Sequence, residues 1–269
     1  MITYKNNFKS IKNYFLSKNI DITKPGFYDD EKFIEIEKSD STFLNNYAKF
    51  VLHQEYSEEY KEKANKILSV IADILYQELE SDGRQNACVD MAGVLSRILE
   101  SEGIWNYIVF GALTVDFPKS SGLTSVHYWP ISSDFTSRTA AHAWCVVPPF
   151  GVVDLTIKQQ GFSNAQNVFI PDYIIEKESI KYTAKINDLI DDLVRLGNPG
   201  QPIGYYLKDF SNFTKTFKPV KIQKEATFKY IPVSISAPDL PLEKIKGLKL
   251  NGQYGIDIYE TKIKSALVK

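Results

Sequence analysis

An α+β fold is predicted for this chain of 269 residues. Three observations point to it. Apolar stripes of helical period occupy the chain up to about Gly103, strand-like segments follow between Trp105 and Ile157, and helical and strand-like stretches mix beyond. Phe8, Ile11, Tyr14 and Phe15 share one helical face. Phe43, Leu44, Tyr47, Phe50 and Val51 share another, with Ser41 or Thr42 placed to cap that helix, and Pro25-Gly26 breaks the chain between the two. A longer helix starts near Ser57. Glu58 and Glu59 suit its positive end, Ala64, Ile67, Leu68, Ile71, Ile74, Leu75 and Leu79 form its stripe, and Gly83 ends it.

The next helix carries Met91, Val94, Leu95, Ile98 and Leu99 in register, with Gly103 as its C′ residue. Asn86 is placed to cap it, which puts Cys88 in its first turn. A strand is expected over Trp105–Val115. Residues 116–139, rich in Ser, Thr, Gly and Pro, read as a loop long enough to suggest function. Ala141–Val147 and Val152–Ile157 read as a hairpin turning at Pro148-Pro149-Phe150-Gly151. A helix over Thr183–Leu196, ended by Gly197-Asn198-Pro199-Gly200, and strands over Thr227–Ser236 and Tyr254–Tyr259 complete the pattern. The expected organisation is an N-terminal helical extension (1–56), a core (57–200) and a C-terminal β-containing extension packed on it (201–269).

The bulk numbers narrow the function classes. Lysine and arginine total 32 and aspartate and glutamate 33, so the net charge of −1 implies no basic face for nucleic acid. The N-terminal residues lack the apolar core of a signal peptide, and no apolar run approaches the ~18 residues of a membrane span. Two cysteines make no disulfide framework. A cytoplasmic protein without membrane association or cofactor is expected, its oligomeric state left open. A metal site built from His127, His142 and Cys145 fits no zinc spacing.

Cys88, His142 and Asp154 stand out. A thiolate at a helix start is favoured by unpaired N–H groups and the helix dipole, an imidazole beside it lowers its pKa further, and a carboxylate holds that imidazole in one tautomer. If Val146 and Phe150 flank a three-residue turn, His142 lies directly opposite Asp154, on one face of the hairpin. Cys145, three residues after His142, then faces the opposite layer as a small hydrophobe. Gln85 or Asn86 could donate to an oxyanion, Asn86 being also the helix cap. Trp144 reads either as a wall of the site or as core. His127 and Trp129, in the loop before His142, read either as lining a substrate groove or as packing a surface excursion.

This pattern resembles the transglutaminase-like superfamily of papain-like cysteine enzymes. The matching residues are Cys88-Val89-Asp90-Met91-Ala92-Gly93-Val94-Leu95, Glu102-Gly103-Ile104, Ala141-His142-Ala143-Trp144 and Asp154-Leu155-Thr156, within about residues 57–157. The resemblance implies a catalytic helix packed on an antiparallel sheet and a Cys88–His142–Asp154 triad. It implies a peptide or protein substrate and acyl-enzyme chemistry, with hydrolysis of a peptide, isopeptide or side-chain amide bond the leading expectation. Transglutaminase or N-acyltransferase activity, or a non-catalytic interaction module on the same fold, are the alternatives. Arg84-Gln85-Asn86-Ala87-Cys88 stands where animal transglutaminases carry Gly-Gln-Cys-Trp and arylamine N-acetyltransferases carry Arg-Gly-Gly-X-Cys.

Overall fold

A computed structural model describes residues 4–131, 141–197 and 203–268. It is a mixed α+β structure built on a curled antiparallel sheet. The strands are β1 (Tyr107–Asp116), β2 (Val126–Tyr128), β3 (His142–Val146), β4 (Val152–Asp154), β5 (Ile174–Glu176), β6 (Ile180–Lys181), β7 (Val220–Gln223) and β8 (Thr227–Ser236). They lie in the order β5-β4-β3-β1-β8-β7-β6, with β2 paired to the far end of β1.

Strand alternation sends side chains to two cores. Ala143, Cys145 and Val153 meet the apolar stripes of α4 (Glu58–Asp82) and α5 (Cys88–Ser101). Tyr107, Val109, Trp144 and Val152 face the other way, into a core shared with the N-terminal helices α1 (Tyr4–Ser17), α2 (Glu31–Glu37) and α3 (Leu44–His53). The C-terminal segment lays Leu242, Leu250, Tyr259 and Ile263 onto the α4–α5 core. Arg97, buried on α5, joins three parts of the chain. It pairs with Asp29 (2.5 and 3.0 Å) and Glu100 (3.0 Å) and donates to the carbonyls of Pro238 and Leu240. An ion this buried is tolerable only because its donors are so fully matched.

Several helix ends follow the expected chemistry. The Ser57 side chain caps α4 by accepting from the Tyr60 N–H, and Gly83 ends it in the left-handed region. Gly103 takes the same conformation after α5.

Other expectations are corrected. Helix α3 starts after Phe43 without a side-chain cap, because Thr42 donates its N–H and hydroxyl to Asp40 instead. The helix expected over Thr183–Leu196 is two short pieces, Ile186–Leu189 and Asp192–Gly197. Ile190 bridges to Ile131, and the Asp191 N–H donates to the Ile131 carbonyl, so tertiary pairing overrides helical period. The strand expected over Tyr254–Tyr259 is helical from Gly255. There the Asp257 carboxylate accepts the Tyr254 N–H, and Ile258, Tyr259 and Ile263 bury at helical rather than alternating spacing. Helix Ile203–Thr216 and strand β7 went unread, as did α2, which Asp30 caps through the Lys32 N–H. The turn residues expected at 198–200 lie outside the described residues. No helix among the described residues is long and apolar enough to cross a membrane.

Candidate active site

Cys88 is the first residue of α5. The cap position is Ala87 rather than Asn86. Asn86 has a left-handed backbone (φ 57°) and an exposed side chain, and only its N–H is tied down, to the Gln159 carbonyl at 3.1 Å. The turn bends before the helix begins, so no side chain caps it, and the N–H groups of its first turn have no intrahelical partner.

Strand β3 supplies His142 and β4 supplies Asp154. The connection between them is longer than expected. Val146 pairs with Val152 and Cys145 with Val153, so five residues, Val147–Gly151, make the turn. His142 and Asp154 are therefore diagonal neighbours rather than directly opposed. The shift is by two residues, an even number, so both side chains keep the same face. His142 Nε2 and Asp154 Oδ2 are 2.6 Å apart.

Asp154 is saturated. Its Oδ1 accepts from the Thr156 N–H (2.9 Å) and hydroxyl (3.0 Å), and its Oδ2 accepts from the Tyr230 hydroxyl (2.9 Å) as well as from His142. Burial pushes a carboxyl pKa up, but the His142 charge and these donors outweigh it and hold Asp154 below the usual carboxylate range. His142 is itself buried, which disfavours its cation, yet Asp154 and then Cys88 raise it to about 10. For Cys88, burial works against the thiolate. The His142 imidazolium and the Ala143 N–H prevail and lower its pKa. His142 Nδ1 is buried and makes no well-formed hydrogen bond. The thiol and the imidazole sit close enough for each to move the other's titration, in the loose geometry common before a substrate binds.

Cys145 is the contrast. It is fully buried, donates weakly to the Ala92 carbonyl on α5 (3.5 Å), and burial pushes its thiol up. It lies on the opposite face of β3 from His142, as alternation requires, and no group of three or more His, Cys, Asp or Glu that could hold a metal occurs among the described residues.

Trp144 is core. It is 2% exposed, stacks on His142 (centroids 6.2 Å, 24°) and meets Tyr230 edge-on (5.1 Å). Gly111, beside it on β1, is needed for this. A Cβ there would sit 2.1 Å from the Ile231 carbonyl oxygen and 2.7 Å from the indole. His127 and Trp129 are not at the site. Their rings stack on each other, Trp129 donates to the Asn187 carbonyl (2.8 Å), and His127 pairs with Thr114, which donates to Asp188. The loop residue that does reach the triad is Tyr128, whose ring lies 6.2 Å from His142 and whose hydroxyl donates to the Gln160 carbonyl. The part of the expected 116–139 loop beyond Ile131 lies outside the described residues.

Compared with known proteins, the chain has no significant match to a protein-family model, to a curated protein or to a solved structure. The site's chemistry rests on its own geometry.

Sequence reasoning missed Tyr230, Thr156 and Gln159. Tyr230 comes from β8, remote in sequence and inconspicuous in an apolar run. Thr156 was visible as Asp154-Leu155-Thr156, where a hydroxyl two residues on can close an Asx-type turn. Gln159 is buried with its Oε1 lacking any partner, next to the loop that leads into Cys88. Gln85, by contrast, is exposed. Alongside the first turn of α5 lies a pocket of about 310 Å³, walled by Val89, Gly93, Ile108 and Phe110, with Asp90 and Asp239 among its polar residues.

Proposed function

We propose that this protein is a thiol-dependent acyl-transfer enzyme, hydrolysing a peptide, isopeptide or side-chain amide bond. The observation that carries this reading is the placing of Cys88 at the start of α5 beside His142, whose Nε2 is bonded to Asp154 at 2.6 Å; the imidazole lowers the Cys88 thiol, whereas burial, with the Glu100 and Asp154 charges, pushes the Cys145 thiol up. Such a pairing of perturbed groups is a recurrent mark of reactive sites.

In this reading the Cys88 thiolate attacks the carbonyl carbon and a C–S bond forms. The carbonyl oxygen becomes an oxyanion facing the N–H groups at the start of α5. The His142 imidazolium gives its proton to the leaving nitrogen, the C–N bond breaks, and an acyl-enzyme remains. Water then gives a proton to His142 and attacks the thioester, releasing the acid and the thiolate. Asp154 keeps the imidazole oriented and stabilises its charged form. In this reading the substrate is a peptide or protein. A transglutaminase or N-acyltransferase would use the same acyl-enzyme with an amine in place of water. The resemblance to papain-like and transglutaminase-like enzymes belongs to this proposal.

One observation favours a second reading, a non-catalytic interaction module. Cys88 is 8% exposed, His142 0% and Asp154 1%. A peptidyl vinyl sulfone separates the two. The enzyme reading expects covalent mass addition at Cys88 in the folded protein, abolished by His142→Ala. No addition to folded protein, with addition only after denaturation, would assign the three residues to the core.

A further inference from the structure

The turn that delivers Cys88 and the carboxylate that orients His142 hang from one short segment. Asp154 ends β4, and the chain runs on through Leu155 and Thr156 into a single 3-10 turn, Ile157–Gln159. Thr156, Ile157, Gln159 and Gln160 are all buried. Hydrogen bonds of its own close the segment. The Thr156 N–H and hydroxyl go to the Asp154 carboxylate, and the Thr156 carbonyl accepts from the Gln159 N–H (3.1 Å) and from the Gln160 side-chain amide (3.0 Å). Lys158 ties it to the residues that follow, donating to the carbonyls of Asn167 (3.0 Å) and Ile170 (2.7 Å).

Two further bonds join this segment to the rest of the site. The Gln160 carbonyl accepts from the hydroxyl of Tyr128 (2.6 Å), whose ring is beside His142. The Gln159 carbonyl accepts from the Asn86 N–H (3.1 Å), two residues before Cys88. Asn86 makes that bond from a left-handed backbone, φ 57°. Asparagine is one of the few residues with a Cβ that enters this region readily, and a β-branched residue is among the least able to. The Asn86 side chain is exposed and does not cap α5, so its backbone accounts for the residue. An ordinary φ at Asn86 would take its N–H off Gln159 and redirect the two residues that lead to the thiol.

We infer that Asn86 is a positioning residue, whose left-handed backbone, pinned by the Gln159 carbonyl, sets the Cys88 thiol against His142 from the same segment that fixes Asp154. This rests on the reading of Cys88 as the nucleophile.

The test compares Asn86→Val and Asn86→Gly in the full chain, with folding checked by circular dichroism. Iodoacetamide labelling of Cys88 is followed from about pH 5 to about pH 9. Asn86→Val, which disfavours the left-handed backbone, should label about tenfold or more slowly at pH 7, with its profile moved toward that of a free thiol. Asn86→Gly, which admits that backbone, should restore the parent profile and a rate within about twofold of the parent. A crystal structure of Asn86→Val should show Sγ moved by about 1 Å or more from its parent position. Parent-like labelling of folded Asn86→Val, or an Sγ that stays in place, would overturn the inference. Equal loss in the valine and glycine variants would do so too, by putting the role on the side chain. If Asn86→Val does not fold, Asn86→Ala decides by the same readouts. If Cys88 of the parent protein labels as a free thiol does, the catalytic reading fails, and the displacement of Sγ alone decides whether Asn86 positions it.

Discussion

The two cysteines lie on either side of one helix–strand contact and differ in almost everything that matters for chemistry. Cys145 sits in the middle of β3 against the body of α5, where its weak partner is a carbonyl oxygen. A carbonyl cannot stabilise an anion, and burial then keeps the proton on sulfur. Cys88 is nearly as buried, but it begins α5, beside an imidazole whose own charge is anchored by Asp154. Burial is common to both thiols. What separates them is the presence of a desolvated counter-charge, whose effect is larger in a low-dielectric surrounding than in water. The account can be broken by removing that counter-charge in stages.

The largest effect is expected from His142→Ala. Cys88 keeps its burial and loses the group that offset it, so its pKa rises above that of a free thiol. Labelling by iodoacetamide at pH 7 should fall by about a hundredfold, making Cys88 behave as Cys145 does. Retained labelling would mean that the helix start alone lowers the pKa.

Asp154→Asn comes next. An amide fits the same volume but cannot stabilise the imidazolium, and it presents a donor where His142 needs an acceptor. Labelling of Cys88 should drop by about tenfold or more, while circular dichroism stays native-like. Tyr230→Phe removes one of Asp154's donors. Loss of a hydrogen bond to a buried charge should cost about 1.5–3 kcal/mol in urea unfolding and slow labelling several-fold. Unchanged stability and labelling would take Tyr230 out of the site.

The smallest effect belongs to Trp129→Ala. The sequence left a groove wall and a packed surface excursion equally open, and the indole is committed to Asn187 and stacked on His127. Cys88 labelling should stay within about twofold of the parent, and any loss should be in stability, of about 1 kcal/mol. A large fall in labelling with an unchanged melting temperature would return the residue to the site.

Legibility in the sequence tracked the range of the interactions involved. Local chemistry was readable. The Ser57 cap, Gly83 and Gly103 follow from side-chain reach and backbone freedom at each position. The facing of His142, Cys145 and Asp154 follows from strand alternation, which is why it survived a turn two residues longer than expected. Non-local chemistry was not readable. Ile190 leaves a helical stripe for Ile131, and a helix built from 183–196 has no way to announce that. Tyr230 reaches Asp154 because β8 pairs with β1, a partnership that no periodicity encodes. Asn86 failed as a cap for a local reason seen only in three dimensions, a left-handed backbone held by Gln159.

The most direct test of the central claim is the pH profile of alkylation at both cysteines in the folded protein, with site mapping by mass spectrometry. Cys88 is expected to label faster than a free thiol at pH values below about 8.5, because the imidazolium lowers its pKa from the ordinary thiol value. Its rate should stay nearly flat until His142 loses its proton near pH 10. Cys145 should remain unlabelled until the protein unfolds. A Cys88 rate that climbs with a midpoint near that of free cysteine, or faster labelling of Cys145, would contradict the account.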